Sequence, residues 1–231
     1  MHYFALLISQ ERELTPDEAT EGMAAFQAFH AKSGSAIRAG DALAPTAHAV
    51  RITGGPDAPV VTDGPFAEAA EVACGYYVLE ADNLDEALAL ARDIPVATFG
   101  AVEVWPMVGW NPPSEQLGSD WLALLLEPAD NVCAPSTEEW ESGVCAHTEF
   151  GNAAGEHILS GAPLHPPSTA TTVRVRNNDV VLTDGPYIEG AEVANGFYVL
   201  RAADRDEAVK LASMIPASAV ELRRLAGVSG L

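Results

Sequence analysis

Cations are scarce in this chain: 12 lysines and arginines stand against 33 aspartates and glutamates, for a formal net charge of −21. Such a field repels phosphate backbones and anionic bilayers, so neither a nucleic-acid partner nor a membrane surface is expected. Solubility, tolerance of salt or a basic protein partner are the readings left for the charge. Cysteine is nearly as sparse. Cys74, Cys133 and Cys145 form an odd set without CxxC spacing, which indicates neither a disulfide framework nor a zinc knuckle and fits a reducing cytoplasm. No apolar run reaches the roughly 18 residues of a membrane span, and Met1 to Ile8 is apolar without the basic flank of a secretory signal, so it reads as a buried strand. A nucleophile elbow, a P-loop and a dinucleotide-binding glycine turn are all absent; Gly54-Gly55-Pro56 is turn chemistry. No HxxxH, HxH or acidic cluster has metal-ligand spacing, so no metal and no cofactor is implied.

What the chain does have is a composition that folds, 48% apolar and 19% charged, and an internal duplication. Val60-Val61-Thr62-Asp63-Gly64-Pro65-Phe66 recurs as Val181-Leu182-Thr183-Asp184-Gly185-Pro186-Tyr187, and the offset of 121 residues holds without a gap to Pro95 and Pro216. Of these 36 aligned positions 22 are identical, where chance supplies about two or three. Thr15-Pro16-Asp17-Glu18 reads as a capping box with proline at the first helical position, and Ser136-Thr137-Glu138-Glu139 repeats it at the same offset. The proline-rich stretch around Pro112-Pro113 reads as a linker. The expected organisation is copy one at 1–110, a linker at 111–119 and copy two at 120–231.

Within copy one, Tyr3 to Ile8 predicts a strand covered on both faces. A helix is expected from Pro16 to about Arg38, with Ala19, Met23, Phe26 and His30 on its apolar side and Gly40 as its stop. Strands follow at Val50–Thr53, Val60–Thr62 and Val72–Ala81. A second helix is capped by Asn83, with Glu86 three residues on, and is ended by Ile94-Pro95; Val102–Trp105 closes the copy. This β-α-β-β-α-β order, with one extra short strand, predicts an α+β, ferredoxin-like plan with helices on one face of an antiparallel sheet. The opposite, apolar sheet faces of the two copies are expected to pack on one another, an intrachain pseudo-dimer whose further homodimerisation stays open.

Thr62-Asp63-Gly64-Pro65-Phe66-Ala67-Glu68, followed by Gly75-Tyr76-Tyr77-Val78-Leu79 and Leu84-Asp85-Glu86-Ala87, resembles the signature of DGPF proteins in the YCII-related family. The resemblance is renewed by Asp184-Gly185-Pro186-Tyr187 and Gly196-Phe197-Tyr198-Val199-Leu200. It implies a dimeric α+β barrel built here from tandem copies, and little about reaction, since most of the family lacks an assigned activity. A few relatives act on small aromatic compounds, and some are encoded beside sigma factors, which would suit a non-catalytic interaction module. The family's histidine on the first helix, used with an aspartate, would correspond most nearly to His30 and Asp93, but copy two has Gly151 and Met214 at these positions.

A small-molecule ligand in a cleft between sheet and helices is the expectation carried forward. Asp63 and Asp184 open an Asp-Gly-Pro turn, which they serve either structurally or as carboxylates acting as bases at a cleft edge. Glu68 and Glu189 either cap the same loop, line the same cleft or lie in solvent. Tyr77 and Tyr198 recur on a strand, as core residues or with their hydroxyls in a half-polar pocket. Arg51 and Arg174 either pair with carboxylates or hold an anionic substrate. His147 falls near the apolar stripe of copy two's first helix, opposite Phe26 of copy one, as a core histidine or a catalytic base. His157 and His165 are expected at the surface, and Cys74, which becomes Asn195, has no counterpart nucleophile.

Overall fold

A computed structural model describes residues 1–65, 71–187 and 192–228. Copy one contributes β1 (His2–Ser9), α1 (Pro16–Ser33), β2 (Ile37–Ala42), β3 (Val50–Thr53), β4 (Val60–Asp63), β5 (Val72–Glu80), α2 (Leu84–Ala91) and β6 (Ala101–Pro106). Copy two repeats the series as β7 (Trp121–Pro128), α3 (Glu138–Ala154), β8 (Ile158–Pro163), β9 (Thr171–Arg176), β10 (Asp179–Asp184), β11 (Glu192–Leu200), α4 (Arg205–Ala212) and β12 (Ala219–Arg224). Among the described residues the fold is α+β, with two antiparallel six-stranded sheets and four α-helices. None of these helices is long and apolar enough to cross a membrane.

The local signals behave as their chemistry dictates. Thr15 caps α1 in a reciprocal box with Glu18, Asn83 accepts from the Glu86 N–H and Asp204 from the Glu207 N–H. In copy two the box slips by one residue, because Ser136 adopts a φ of 71° and it is Thr137 that receives the Trp140 N–H. The first helix is shorter than its sequence pattern predicts. It ends at Ser33, and Ile37–Ala42 forms a strand against β5. Gly40 is therefore no helix stop. It lies across from Tyr77 and Gly161 lies across from Tyr198, and a Cβ at either position would run into the tyrosine ring. Ala19 and Met23 are exposed, and only Phe29 and Ser33 of α1 are buried. The helix therefore docks through its C-terminal turns.

The sheets do not follow the copies. Their orders are β10-β9-β6-β1-β5-β2 and β4-β3-β12-β7-β11-β8. The hairpin β3–β4 of copy one thus extends the sheet of copy two by pairing Val50–Thr53 with Ala219–Leu222, and the hairpin β9–β10 extends the sheet of copy one through Val102–Val104 and Thr171–Val173. Strand alternation then sorts the core into three layers. Phe4, Leu6 and Ile8 of β1 join Leu122, Leu124, Phe197 and Val199 of the other sheet in one central cluster. Tyr3, Ala5 and Leu7 face α1 and α2, while Trp121, Ala123 and Leu125 face α3 and α4. Continuous apolar runs in β1 and β7 are thereby explained: each is covered on both faces.

Because each hairpin ladder lies in the other copy's sheet, a single copy has no partner for its own β3 or β6 edge. Residues 1–116 expressed alone are expected to self-associate or stay unfolded, and to form a 1:1 folded complex when mixed with residues 117–231. Size-exclusion chromatography with light scattering checks this, and a folded monomeric half would contradict it. Gly161→Ala is expected to cost about 1–3 kcal/mol in urea unfolding, because it overpacks the Tyr198 ring.

Candidate functional site

Each half brings a histidine of its first helix to the hydroxyl of the recurring tyrosine. His30 Nε2 lies 2.7 Å from Tyr77 Oη, and His147 Nδ1 lies 3.0 Å from Tyr198 Oη. A phenylalanine from the same helix packs each tyrosine ring, Phe29 at 5.5 Å and Phe150 at 5.1 Å between centroids. The phenylalanines and tyrosines correspond at the repeat offset; the histidines do not. His147 corresponds to Phe26 and His30 to Gly151, so the two imidazoles reach equivalent hydroxyls from positions four residues, about one helical turn, apart. Comparing the copies column by column hides this pair, since in neither copy does the other's histidine position hold a histidine.

Electrostatics fix the charge state of each pair. Burial pushes both histidines below the ordinary imidazole value of 6.5, so at neutral pH each is uncharged and can accept. Burial pushes Tyr198 up to about 12 and raises Tyr77 likewise, with the Asp41 charge as a lesser cause; each phenol therefore keeps its proton, and whether it donates to the ring nitrogen or accepts from it follows the imidazole tautomer. The second imidazole nitrogen, Nδ1 of His30 and Nε2 of His147, is not engaged by the tyrosine. Asp93 does not join His30. Its carboxylate is held by Lys32 at 2.7 Å.

The Asp-Gly-Pro aspartates stand elsewhere. Asp63, Val50, Leu222, Ala123 and Tyr198 lie in one row across a sheet, and Asp184, Thr171, Val104, Ala5 and Tyr77 form the equivalent row in the other. Four strand spacings, about 19 Å along the sheet, separate each carboxylate from the tyrosine of its row. Asp63 also shares a sheet with the tyrosine of the opposite copy, a consequence of the exchanged hairpins. A cleft combining these aspartates with the tyrosines is thus not formed. Asp63 pairs with Arg205 at the start of α4, and both aspartates are exposed. Gly185 closes its turn at a φ of 86° and donates its N–H to the Ala170 carbonyl at 2.8 Å.

Arg51 pairs with Glu192 across the copies, whereas Arg174 stacks over the Tyr187 ring at 4.7 Å. Both lie on the sheet face opposite Tyr77 and Tyr198. Cys74 is half-buried, and burial raises its thiol. Glu68 and Glu189 lie outside the described residues. Among the described residues no group of three or more His, Cys, Asp or Glu side chains is placed to hold a metal ion.

The histidine shifts carry a stability consequence. Each folded-state value lies below the unfolded 6.5, so the unfolded chain binds more protons as pH falls below 6.5, and stability drops until the folded-state values are passed. Two-dimensional NMR titration is expected to place both imidazole midpoints below 6.5. Urea unfolding should show a parallel loss of stability below pH 6.5, smaller in His147→Gln.

With this geometry in view, comparison with known proteins is informative about kinship. The model of the YCII-related domain matches the chain twice, over residues 1–111 and 127–225. An uncharacterized protein of Rhizobium meliloti (strain 1021) is 39% identical over 72 residues, which are 30% of this chain and 58% of that protein. Two matches that together span most of the sequence show that the chain belongs to the YCII-related family and carries its domain in two tandem copies.

Proposed function

We propose that the protein binds a small organic molecule carrying an acidic proton, at the gap between first helix and sheet, and moves that proton by means of the His–Tyr pairs. One observation supports this reading above the others: the imidazole-to-phenol contact occurs in both halves although its histidine comes from different turns of the helix. A tyrosine needing only burial is equally served by packing on Phe29 or Phe150. In the tautomer whose N–H donates to the tyrosine oxygen, the neutral imidazole presents its other nitrogen as a base at physiological pH, the phenol keeps its own proton as a donor for developing negative charge, and the aromatic rings form a flat apolar wall. Both histidines are half-buried, which leaves the unengaged ring nitrogen within reach of a ligand entering beside the loosely docked helix.

The same reading takes the chain as a DGPF-type member whose four-strand order β6-β1-β5-β2 suits a ferredoxin-like unit, with the two sheets forming a pseudo-dimeric barrel. It adopts a phenolic compound as the first ligand class to try, since a few family relatives act on small aromatic compounds.

A thermal-shift screen of substituted phenols against the full chain is expected to yield compounds that raise the melting temperature. Tyr77→Phe combined with Tyr198→Phe should keep the circular dichroism spectrum and weaken those compounds at least about tenfold, the scale of one lost hydrogen bond. His30→Gln combined with His147→Gln should reduce any turnover by about 10²–10⁴. Unchanged affinity in the folded tyrosine variant, with unchanged turnover in the histidine variant, defeats the proposal.

A further inference from the structure

Eight of the twelve cations take part in ion pairs: Arg12, Lys32, Arg38, Arg51, Arg92, Arg201, Arg205 and Arg223. The excess of carboxylate makes this the expected condition. Of the other four, Arg176 is saturated by the carbonyls of Ala97, Thr98, Gly100 and Val175. Arg224 donates to the Ser119 carbonyl and lies over Trp121, and Lys210 is an exposed residue of α4. Arg174 differs from all of these. It is half-buried and held face-on against the Tyr187 ring, yet among the described residues its guanidinium meets neither a carboxylate nor a carbonyl.

The other sheet has no arginine at this place: Arg174 opposes Val181 as Thr53 opposes Val60, while Arg51 stands opposite Glu221 where Thr172 stands opposite Glu103. In that other sheet Glu192 takes Arg51, while Glu221 takes Arg223, which also donates to the Ala44 carbonyl. Every charge has a partner. In the first sheet the counterpart of Glu192 is Glu71, and it is occupied by the hydroxyl of Tyr187. The counterpart of Glu221 is the buried Glu103, which accepts from the Trp105 indole N–H at 3.0 Å and from the Tyr187 backbone N–H at 2.8 Å. Both carboxylates thus accept from neutral donors. Tyr187 is tied at its backbone and at its hydroxyl, so its ring is a fixed platform beneath the guanidinium. Arg176, two residues along and on the same face of β9, adds a second positive charge compensated only by carbonyl dipoles; Asp179 opposes it in register but forms no ion pair with it. The counterpart of Arg176 in the other sheet is Gly55, in the turn that follows β3.

We infer that Arg174, on the Tyr187 platform and beside Arg176, is a binding site for the carboxylate of a small organic acid. A planar guanidinium with all five N–H donors available is matched bidentately by a carboxylate, and stacking on an aromatic ring leaves its edge presented outward. Exchange of the hairpins is required for it, because Arg174 and Tyr187 come from copy two, whereas Glu71, Glu103 and Trp105 come from copy one. It faces away from Tyr77 across the sheet, so it stands or falls independently of the His–Tyr pairs.

The test is a titration of the ¹⁵N-labelled full chain with sodium benzoate, and separately with neutral benzamide, at constant ionic strength, following arginine Nε–Hε resonances. Benzoate is expected to shift the Arg174 resonance saturably and benzamide is not. Arg174→Gln should weaken benzoate at least tenfold and Arg174→Lys several-fold. Lys210→Gln, which removes the same charge from α4 on the outer face of the other sheet, should leave the affinity unchanged. Equal shifts with benzamide, equal weakening by Lys210→Gln, or absence of saturation below about 10 mM benzoate, an affinity too weak for a built site, overturns the assignment.

Discussion

Two short backbone ladders, β3 on β12 and β6 on β9, hold the architecture together. Each inserts a hairpin of one copy into the sheet of the other, so every polar backbone group satisfied there is satisfied by the sibling copy. Main-chain pairing of this kind leaves each copy structurally incomplete, beyond any preference of apolar faces for one another. Covalent linkage makes the exchange intramolecular, which lowers its entropic cost relative to two separate chains. The residue rows across each sheet are also set by it, and hence the distance between the Asp-Gly-Pro turns and the tyrosines.

Between the sheets, the ring of Phe4 lies 4.6 Å from Phe197 and 5.7 Å from Tyr76. Tyr76 and Phe197 are counterparts, and the difference between them is one hydroxyl. Among the described residues that hydroxyl is the buried side-chain oxygen without a hydrogen-bond partner, a condition that costs about 1–3 kcal/mol. Burial raises Tyr76 further than the nearby Asp41 and Asp120 charges do, so the group remains a neutral phenol. Phenylalanine at 197 avoids this cost. The central layer is thus symmetric in shape and asymmetric in polarity.

Much of the fold was legible because it is encoded locally. The duplication, the caps at Thr15, Asn83 and Asp204, and the doubly covered strand β1 follow from residue type and spacing. Strand β2 was missed because Ile37 and Ala39 continue an apolar pattern that also suits a helix, and the break at Gly34 carries no capping side chain. The exchange of hairpins was illegible for a deeper reason: Val50-Arg51-Ile52-Thr53 specifies which face of a strand is apolar, but not which copy's edge it joins. Of the site, Tyr77, Tyr198 and His147 were singled out by recurrence or by helical phase. His30 as an equal partner was obscured by the one-turn displacement, since an imidazole can reach one hydroxyl from either of two stacked positions on a helix.

Fusion of the copies explains why their chemistry has separated. In a homodimer a substitution appears on both sides of the axis, so a residue that suits one site must be tolerated at the other. Within a single chain that constraint is lifted. Trp105 and Arg223 occupy equivalent places beside Glu103 and Glu221, and each satisfies its glutamate by different means. The arginine brings a charge that neutralises its glutamate; the indole donates a hydrogen bond without charge. Arg51, across from Glu221, is engaged by Glu192, whereas the equivalent place across from Glu103 holds the neutral Thr172. The histidines repeat the same logic on the outer faces, where one contact persists while its origin on the helix has shifted.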